Sequence, residues 1–253
     1  MKKENKIMKP VQFALLACPL IVFSNLANAA SSFDTRASIQ FVVQNLRNQS
    51  SPTSVVFSDV FIDASYEYRD SLKPEPFRSW LIGSGGASVS VPDAPVSLTG
   101  PYADDTRVFN HSFNVLGNSG SGELVTHQLG WYSWTVSNNS ATDTFSLDLN
   151  FSYLLDAATA GDFSQVVVSL TRFSDEVPAF DGFADIEASA FALSSVQVQN
   201  SMIQAFSLSP GQSRTFNVDV VVNGSAVVPL PPAVWSFLLG LGLVFRQMLT
   251  RKQ

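Results

Sequence analysis

Hydrophobic and polar residues alternate with a period of two through much of the chain between residues 31 and 226. The clearest stretch is 144–153, in which Phe145, Leu147 and Leu149 fall on one face while serine, aspartate and asparagine fall on the other. Residues 216–222 repeat the pattern with phenylalanine and valine. Because successive side chains of a β-strand point to opposite faces, this alternation predicts half-buried strands. Further strands are predicted at 38–46, 54–66, 87–91, 107–116, 124–136, 164–173, 183–198 and 202–208.

Turn-forming residues separate the predicted strands. Ser209-Pro210-Gly211-Gln212 places proline second and glycine third, as a type II turn requires. Asn138-Asn139-Ser140 and the glycine-rich segment 117–122 predict hairpin connections. We therefore predict an all-β fold, an antiparallel β-sandwich of the Ig-like or jelly-roll-like kind, in one domain at residues 30–226. At 34–47 and 184–193 the apolar spacing is also compatible with a short helix.

The first 29 residues have the order of a secretory signal peptide. Four lysines precede residue 10, an apolar run covers 11–23, and Ala27-Asn28-Ala29 follows. This order predicts export through the Sec translocon and cleavage after Ala29. Cys18 follows Leu-Leu-Ala and so allows a second interpretation, a lipoprotein anchor. The apolar run continues beyond Cys18, which favours the signal peptide.

Residues 227–253 differ in composition from the rest of the chain. Val228-Pro229-Leu230-Pro231-Pro232 is followed by an apolar run at 233–245 and by the basic residues Arg246, Arg251 and Lys252. The prolines lack amide protons, so this part is predicted to run extended outside a sheet. As a helix the apolar run rises about 20 Å, or about 25 Å if it continues to Leu249, against a hydrocarbon core of roughly 30 Å. We predict a short transmembrane helix whose basic end is cytoplasmic.

This segment resembles the VPLPA variant of the PEP-CTERM sorting signal, the tail by which exosortases of Gram-negative bacteria recognise their substrates. The resemblance rests on Val228, Pro229, Leu230 and Pro231, on an apolar run with tryptophan and glycines, and on the basic end. Pro232 is an addition to the usual motif, and the basic residues are split into two groups. The resemblance implies transient retention in the inner membrane, cleavage by exosortase near the prolines, and release to the cell surface or the exopolysaccharide matrix.

The net charge of the exported domain limits its possible partners, and its cysteine content limits how it can be stabilised. Of the charged residues, 8 lysines and arginines and 20 aspartates and glutamates lie between residues 31 and 226, which gives a net charge near −12. Such an acidic body is repelled by phosphate backbones, so nucleic acids and anionic membrane surfaces are poor partners. After cleavage no cysteine remains, and stability is expected to come from core burial rather than from disulfides.

Catalytic and metal-binding patterns are weak in this sequence. It contains neither a G-x-S-x-G nucleophile motif nor a phosphate-binding glycine spacing, and no cofactor is predicted. His111 and His127 lie on predicted strands beside polar residues, which favours structural roles. Asp181, Asp185 and Glu187, with the acidic pair at 175–176 before them, could supply oxygen ligands to calcium. An acidic turn before a strand is the commoner interpretation, so no metal site is predicted.

Aromatic residues supply the remaining candidate site, Trp131-Tyr132-Ser133-Trp134. On a strand, Tyr132 and Trp134 share one face while Trp131 lies on the other, so at least one ring must face the core. Exposed rings among Trp131, Tyr132 and Trp134 would form a platform on which sugars stack, whereas packing between sheets is the default role of such rings.

Two classes of function are compatible with these features. The first, implied by the sorting resemblance, is a non-enzymatic protein of the cell surface or extracellular matrix that associates with exopolysaccharide. The second is a carbohydrate-binding module or a carbohydrate-active enzyme on the same scaffold, since a fold alone does not define a function. A glycosidase needs two carboxylates facing each other across a cleft, and no such pair can be recognised from sequence spacing.

Overall fold

The computed structural model describes residues 30–52, 57–70, 79–90, 98–103, 107–174, 180, 182–229 and 237–242. The described domain is all-β, as the alternating pattern predicts, and a short helix covers 237–242. The strands are β1 (Ser31–Asn48), β2 (Val60–Asp70), β3 (Trp80–Ser90), β4 (Leu98–Pro101), β5 (Val108–Asn138), β6 (Phe145–Ala160), β7 (Ser164–Ser174), β8 (Gly182–Phe191), β9 (Ser195–Leu208) and β10 (Ser213–Val228).

All ten strands belong to one antiparallel sheet. Its main order is β8-β7-β10-β5-β1-β6-β9, while β2 and β3 also pair with β5 and β4 pairs with β2. The first part of β5, residues 108–119, pairs with β1, and its second part, residues 122–138, pairs with β10 and β2. The strand β3 pairs across both parts, with residues 114–125. One long strand is therefore shared by two layers. Layer one contains β9, β6, β1, β3 and the first part of β5; layer two contains β8, β7, β10, β2, β4 and the second part.

The two layers pack face to face over an aromatic core. Phe41 on β1 stacks on Trp134 of layer two, with ring centroids 6.2 Å apart. Phe206 on β9 lies 5.3 Å from Phe216 on β10. Phe180 fills the space between Phe216 and the β6 ring at position 151, at 5.0 and 5.6 Å. Phe180 lies between β7 and β8, whereas the other rings are inward-facing residues of the period-two pattern.

The prediction of a hairpin connection at 117–122 is wrong, because β5 continues through this segment without a break. The glycines admit close neighbours instead. A Cβ on Gly117 would lie 2.1 Å from Cζ of Phe33, and a Cβ on Gly122 would lie 1.9 Å from the carbonyl oxygen of Ile82 on β3. A φ of +80° at Gly122 also requires glycine. These residues let β3 and the Phe33 ring approach the backbone where β5 passes between the layers.

The other predicted connections have mixed outcomes. The turn at 209–212 is confirmed, since Gln212 N donates to the Ser209 carbonyl at 3.0 Å and Gly211 has a φ of +72°. Asn138-Asn139-Ser140 begins a connection, but a hairpin is wrong: it leads from β5 in layer two to β6 in layer one, and these strands do not pair. The helical alternatives at 34–47 and 184–193 are also wrong, because β1 and β8 cover most of them.

Both predicted targeting segments fall largely outside the described residues. These include the signal peptide at 1–29, with Ala27 and Ala29. At the other end, β10 extends to Val228, which pairs with Gly122, so the first residue of the predicted sorting motif belongs to the sheet. Pro229 follows directly, whereas Leu230, Pro231, Arg246, Arg251 and Lys252 lie outside the described residues. In the described part of the chain, no helix is long and apolar enough to cross a membrane.

Candidate functional site

The four residues from Trp131 to Trp134 point alternately outward and inward on β5. Tyr132 and Trp134 are fully buried in the core, where Trp134 contacts Phe41 and Tyr132 lies 4.8 Å from Tyr66. The platform built from Trp131, Tyr132 and Trp134 is therefore wrong, because two of its rings are needed between the layers. Trp131 lies on the outer side of layer two and is partly exposed.

The register of layer two places carboxylates on both sides of Trp131. Glu67 on β2 and Asp219 on β10 are its direct cross-strand neighbours. Directly opposed residues of antiparallel strands project to the same face, and their Cβ atoms lie about 4.5–5.5 Å apart. The next row on this face contains serines, an amide and a second ring. We define the Trp131 face as Ser65, Glu67, Trp131, Ser133, Thr171, Phe173, Asn217 and Asp219.

Two side chains of the Trp131 face have buried oxygen atoms without partners. Asn217 is only 8% exposed, and its Oδ1 accepts no hydrogen bond from any described residue. Asp219 Oδ1 is likewise buried and has no partner within the described part of the chain. A buried acceptor left without a donor costs about 1–3 kcal/mol. Neighbouring atoms cover both oxygens, so a ligand on the outer surface does not contact them in this conformation.

Burial also changes the ionisation of this site. Desolvation raises the pKa of the Asp219 carboxyl above its ordinary value, because removal from water disfavours the charged form. At neutral pH a hydrogen bond from a ligand hydroxyl stabilises this carboxylate more than it stabilises a fully hydrated carboxylate, since less water is displaced. Asp219 is therefore the strongest acceptor that we identify on the Trp131 face.

The second ring of the face is Phe173 on β7, whose side chain is 38% exposed. It lies opposite Asn217, whereas Trp131 lies opposite Asp219, so the two rings are two strands and one row apart. Two strand spacings together with one row of two residues place their Cα atoms roughly 12 Å apart. Rings at this separation, with carboxylate, amide and hydroxyl groups between them, can stack on the C–H faces of sugars while the polar groups bind sugar hydroxyls.

Glu67 and Asp219 are two neighbouring carboxylates whose proximity could not be recognised from their spacing in the sequence. They are two strands apart on one side of the sheet, which places their Cα atoms roughly 10 Å from each other. They lie side by side with the Trp131 ring between them, rather than on opposite walls of a cleft. This arrangement suits ligand binding better than acid and base attack from two sides of a glycosidic bond.

A second polar surface lies on the outer side of layer one. It is an open groove of about 530 Å³ lined by Ser38, Gln40, Asn110, Ser152, Gln199 and Ser201, among others. Ser38 Oγ is buried and has no hydrogen-bond partner among the described residues. The Trp131 face is the stronger candidate, because it adds partly exposed rings and a desolvated carboxylate to hydroxyl and amide groups.

Among the described residues, the fold does not bring the remaining candidates together. His111 is buried, with its Nδ1 accepting from Ser112 N at 2.9 Å, and it packs against the Tyr66 ring. His127 lies elsewhere on β5 and contacts Asn223. Of the acidic segment, Asp181 and the pair at 175–176 lie outside the described residues. Glu187 is exposed on β8 and accepts a hydrogen bond from Ser189.

The comparisons with known proteins give no family for this chain. No protein-family model, curated protein or solved structure matches it. Its function is therefore inferred from the fold, from the chemistry of the Trp131 face and from the composition of the two termini.

Proposed function

We propose that this chain is an exported, non-enzymatic protein of the cell surface or extracellular matrix whose β domain holds exopolysaccharide through the Trp131 face. The observation that carries this proposal is the row Glu67–Trp131–Asp219, in which an outward ring lies between two carboxylates. Ser65 and Ser133 in the next row support it, because their partly exposed side chains carry hydroxyl groups that can exchange hydrogen bonds with sugar hydroxyls.

The acidity of the domain limits which polysaccharide binds. A net charge near −12 and two carboxylates in the site disfavour polyanionic chains. An uncharged polysaccharide avoids this repulsion and still offers hydroxyl donors. We therefore expect binding to neutral chains to exceed binding to uronic-acid polymers of similar length.

The export, membrane retention and cleavage of the chain depend on its two terminal segments. The signal peptide at 1–29 directs export through the Sec translocon, and the segment at 227–253 holds the chain in the inner membrane until exosortase cleaves it. The position of Pro229 supports this part of the proposal, because β10 ends at Val228 and the proline motif follows at once. We also propose that the two packed layers form an Ig-like or jelly-roll-like sandwich.

A carbohydrate-binding module or a carbohydrate-active enzyme remains the alternative function. The raised pKa of Asp219 beside a second carboxylate, Glu67, favours the enzyme, because a general acid needs a raised pKa. Catalysis and polysaccharide binding are expected to respond differently to the Asp219→Asn substitution. An enzyme loses turnover with this change, whereas a binding face loses only part of its affinity, since the amide retains an oxygen acceptor.

Trp131→Ala tests the binding face directly. We expect it to weaken retention of the full chain by a neutral polysaccharide at least about tenfold in affinity electrophoresis, as for a central aromatic anchor. Phe163→Ala is the matched control, because this ring is 58% exposed on the turn between β6 and β7, away from the face. Equal retention of wild type and Trp131→Ala would overturn the binding site, and hydrolysis that Asp219→Asn abolishes would establish the enzyme instead.

A further inference from the structure

The strand β9 forms a free edge of layer one. It pairs with β6 on one side, and no described strand pairs with it on the other. Along an edge strand of an antiparallel sheet, alternate residues direct both their N–H and their C=O groups away from the sheet. Over the 14 residues of β9, about half of the backbone hydrogen-bonding groups therefore face outward.

Side chains of β9 compensate locally for the missing strand. Asn200 Oδ1 accepts from the backbone N of Ser201 at 2.8 Å, and Gln204 Nε2 donates to the carbonyl of Ala205 at 3.1 Å. Both contacts use backbone groups that β6 leaves unpaired. They are exposed bonds between near neighbours, so a pairing strand can replace them at little cost.

The composition of β9 sets it apart from the other edge strands. Its sequence, SVQVQNSMIQAFSL, contains no charged residue, proline or glycine. By contrast, β8 carries Glu187, β4 has four residues and ends at Pro101, and β3 has a register shift next to Gly85. Charges, prolines, bulges and short length are the devices that prevent edge-to-edge pairing, and β9 has none of them.

The outward side chains of β9 do not oppose such pairing. Ile203, in the second half of the strand, is 62% exposed. Two carboxylates of the neighbouring strand β6 lie on the same outer face: Asp156 accepts from Gln197 at 2.6 Å and Asp148 accepts from Asn45 at 2.7 Å. These charges stay one strand away from the edge and are already hydrogen-bonded. A copy of the acidic domain can therefore approach here without placing like charges directly opposite each other.

We propose that β9 pairs antiparallel with β9 of a second copy, so that layer one continues across a two-fold axis. A second copy is the fitting partner because recognition here rests on backbone groups and apolar contact, not on charge. The same strand supplies donors and acceptors in the matching order once it is rotated by two-fold symmetry. The pairing leaves the Trp131 face free, since that face lies on the outer side of layer two.

The test is the mass of the full chain in mild detergent, measured by sedimentation equilibrium between low and high micromolar concentration. We expect wild type to be a dimer, and Ile203→Lys to have half that mass because it places two charges at the pairing edge. Leu116→Lys is the matched control. Leu116 is 44% exposed on the outer side of layer one, but its strand is paired on both sides by β1 and β3, so this variant should stay dimeric.

Ser201→Pro provides a second variant, because it removes a backbone donor that faces the free edge while sparing the bonds to β6. It should also be monomeric, with an unchanged circular dichroism spectrum. A monomeric wild type at all concentrations would overturn the proposal. So would a dimer that survives both Ile203→Lys and Ser201→Pro, since the contact would then lie elsewhere, for example in the membrane tail that all variants share.

Discussion

The contact between Phe33 and two glycines gives the sharpest test of the fold. Phe33 on β1 is 2% exposed, and its ring lies against Gly117 on β5 and Gly224 on β10. A Cβ on Gly117 would lie 2.1 Å from the Cζ atom of this ring, and a Cβ on Gly224 would lie 2.5 Å from the same atom. The same ring atom is thus close to both layers, and a methyl group on either glycine would overlap it.

Gly117→Ala should therefore destabilise the domain by overpacking. Inserting a methyl group into a packed core costs about 1–3 kcal/mol, which lowers the melting temperature by about 2–12 °C for a domain of this size. Phe33→Leu in the same chain should recover part of the loss, since the smaller side chain gives the methyl group room. The measurement is thermal unfolding followed by circular dichroism, with both single variants and the double variant.

Gly86→Ala is the matched control for this experiment. Gly86 lies on β3 in the same sheet, and a Cβ there would meet no atom within 4 Å. Its replacement should leave the melting temperature unchanged or raise it slightly, because alanine restricts the unfolded chain more than glycine does. If Gly117→Ala is as stable as Gly86→Ala, or if Phe33→Leu brings no recovery, the Phe33 ring does not lie between these glycines.

Two further predictions concern the site and the tail. Burial raises the pKa of Asp219 in the folded state, so the folded protein binds the proton more readily and loses stability as pH rises from the unfolded pKa through the folded one. In urea unfolding, the Asp219→Asn variant should have a higher free energy of unfolding than wild type at pH 7 and the same free energy at pH 3. Equal values for the two proteins at both pH values would contradict a raised pKa of Asp219. Replacing Pro229-Leu230-Pro231 with alanines should trap the chain in the inner membrane, whereas deletion of 229–253 should release it. The sorting signal would be refuted if the alanine variant and the wild type were secreted equally and the secreted wild type still carried its tail.

The strands could be predicted because their signal is local. At 144–153 and 216–222 the apolar side chains at alternate positions face the core, so a period of two is enough to identify β6 and β10, although Val221 lies on the outer side and Asn217 is almost buried there. The type II turn at 209–212 is equally local, since proline fixes φ at the second position and glycine permits the positive φ at the third. Such features depend only on neighbouring residues.

The fold of β5 and the candidate site depend on contacts that no local pattern contains. Glycines at 117–122 usually mark a turn, and only the packing of Phe33 and β3 explains why they belong to a strand here. Trp131 gains its two carboxylates through the register of β2 and β10, which come from distant parts of the chain. The sequence could indicate that one ring faces outward, but not which side chains surround it.

Pairing through β9 would give the Trp131 face a second role. The two-fold axis of an antiparallel pair is perpendicular to the sheet, so layer two of both copies lies on the same side of the extended layer one. Both Trp131 faces then point in one direction, and a long polysaccharide can contact them together. Binding the second face becomes intramolecular, which can raise the overall affinity by about 10²–10⁴ without any new contact. The monomeric Ile203→Lys variant should therefore bind long chains much more weakly than wild type, yet bind short oligosaccharides equally well, because its own Trp131 face is intact.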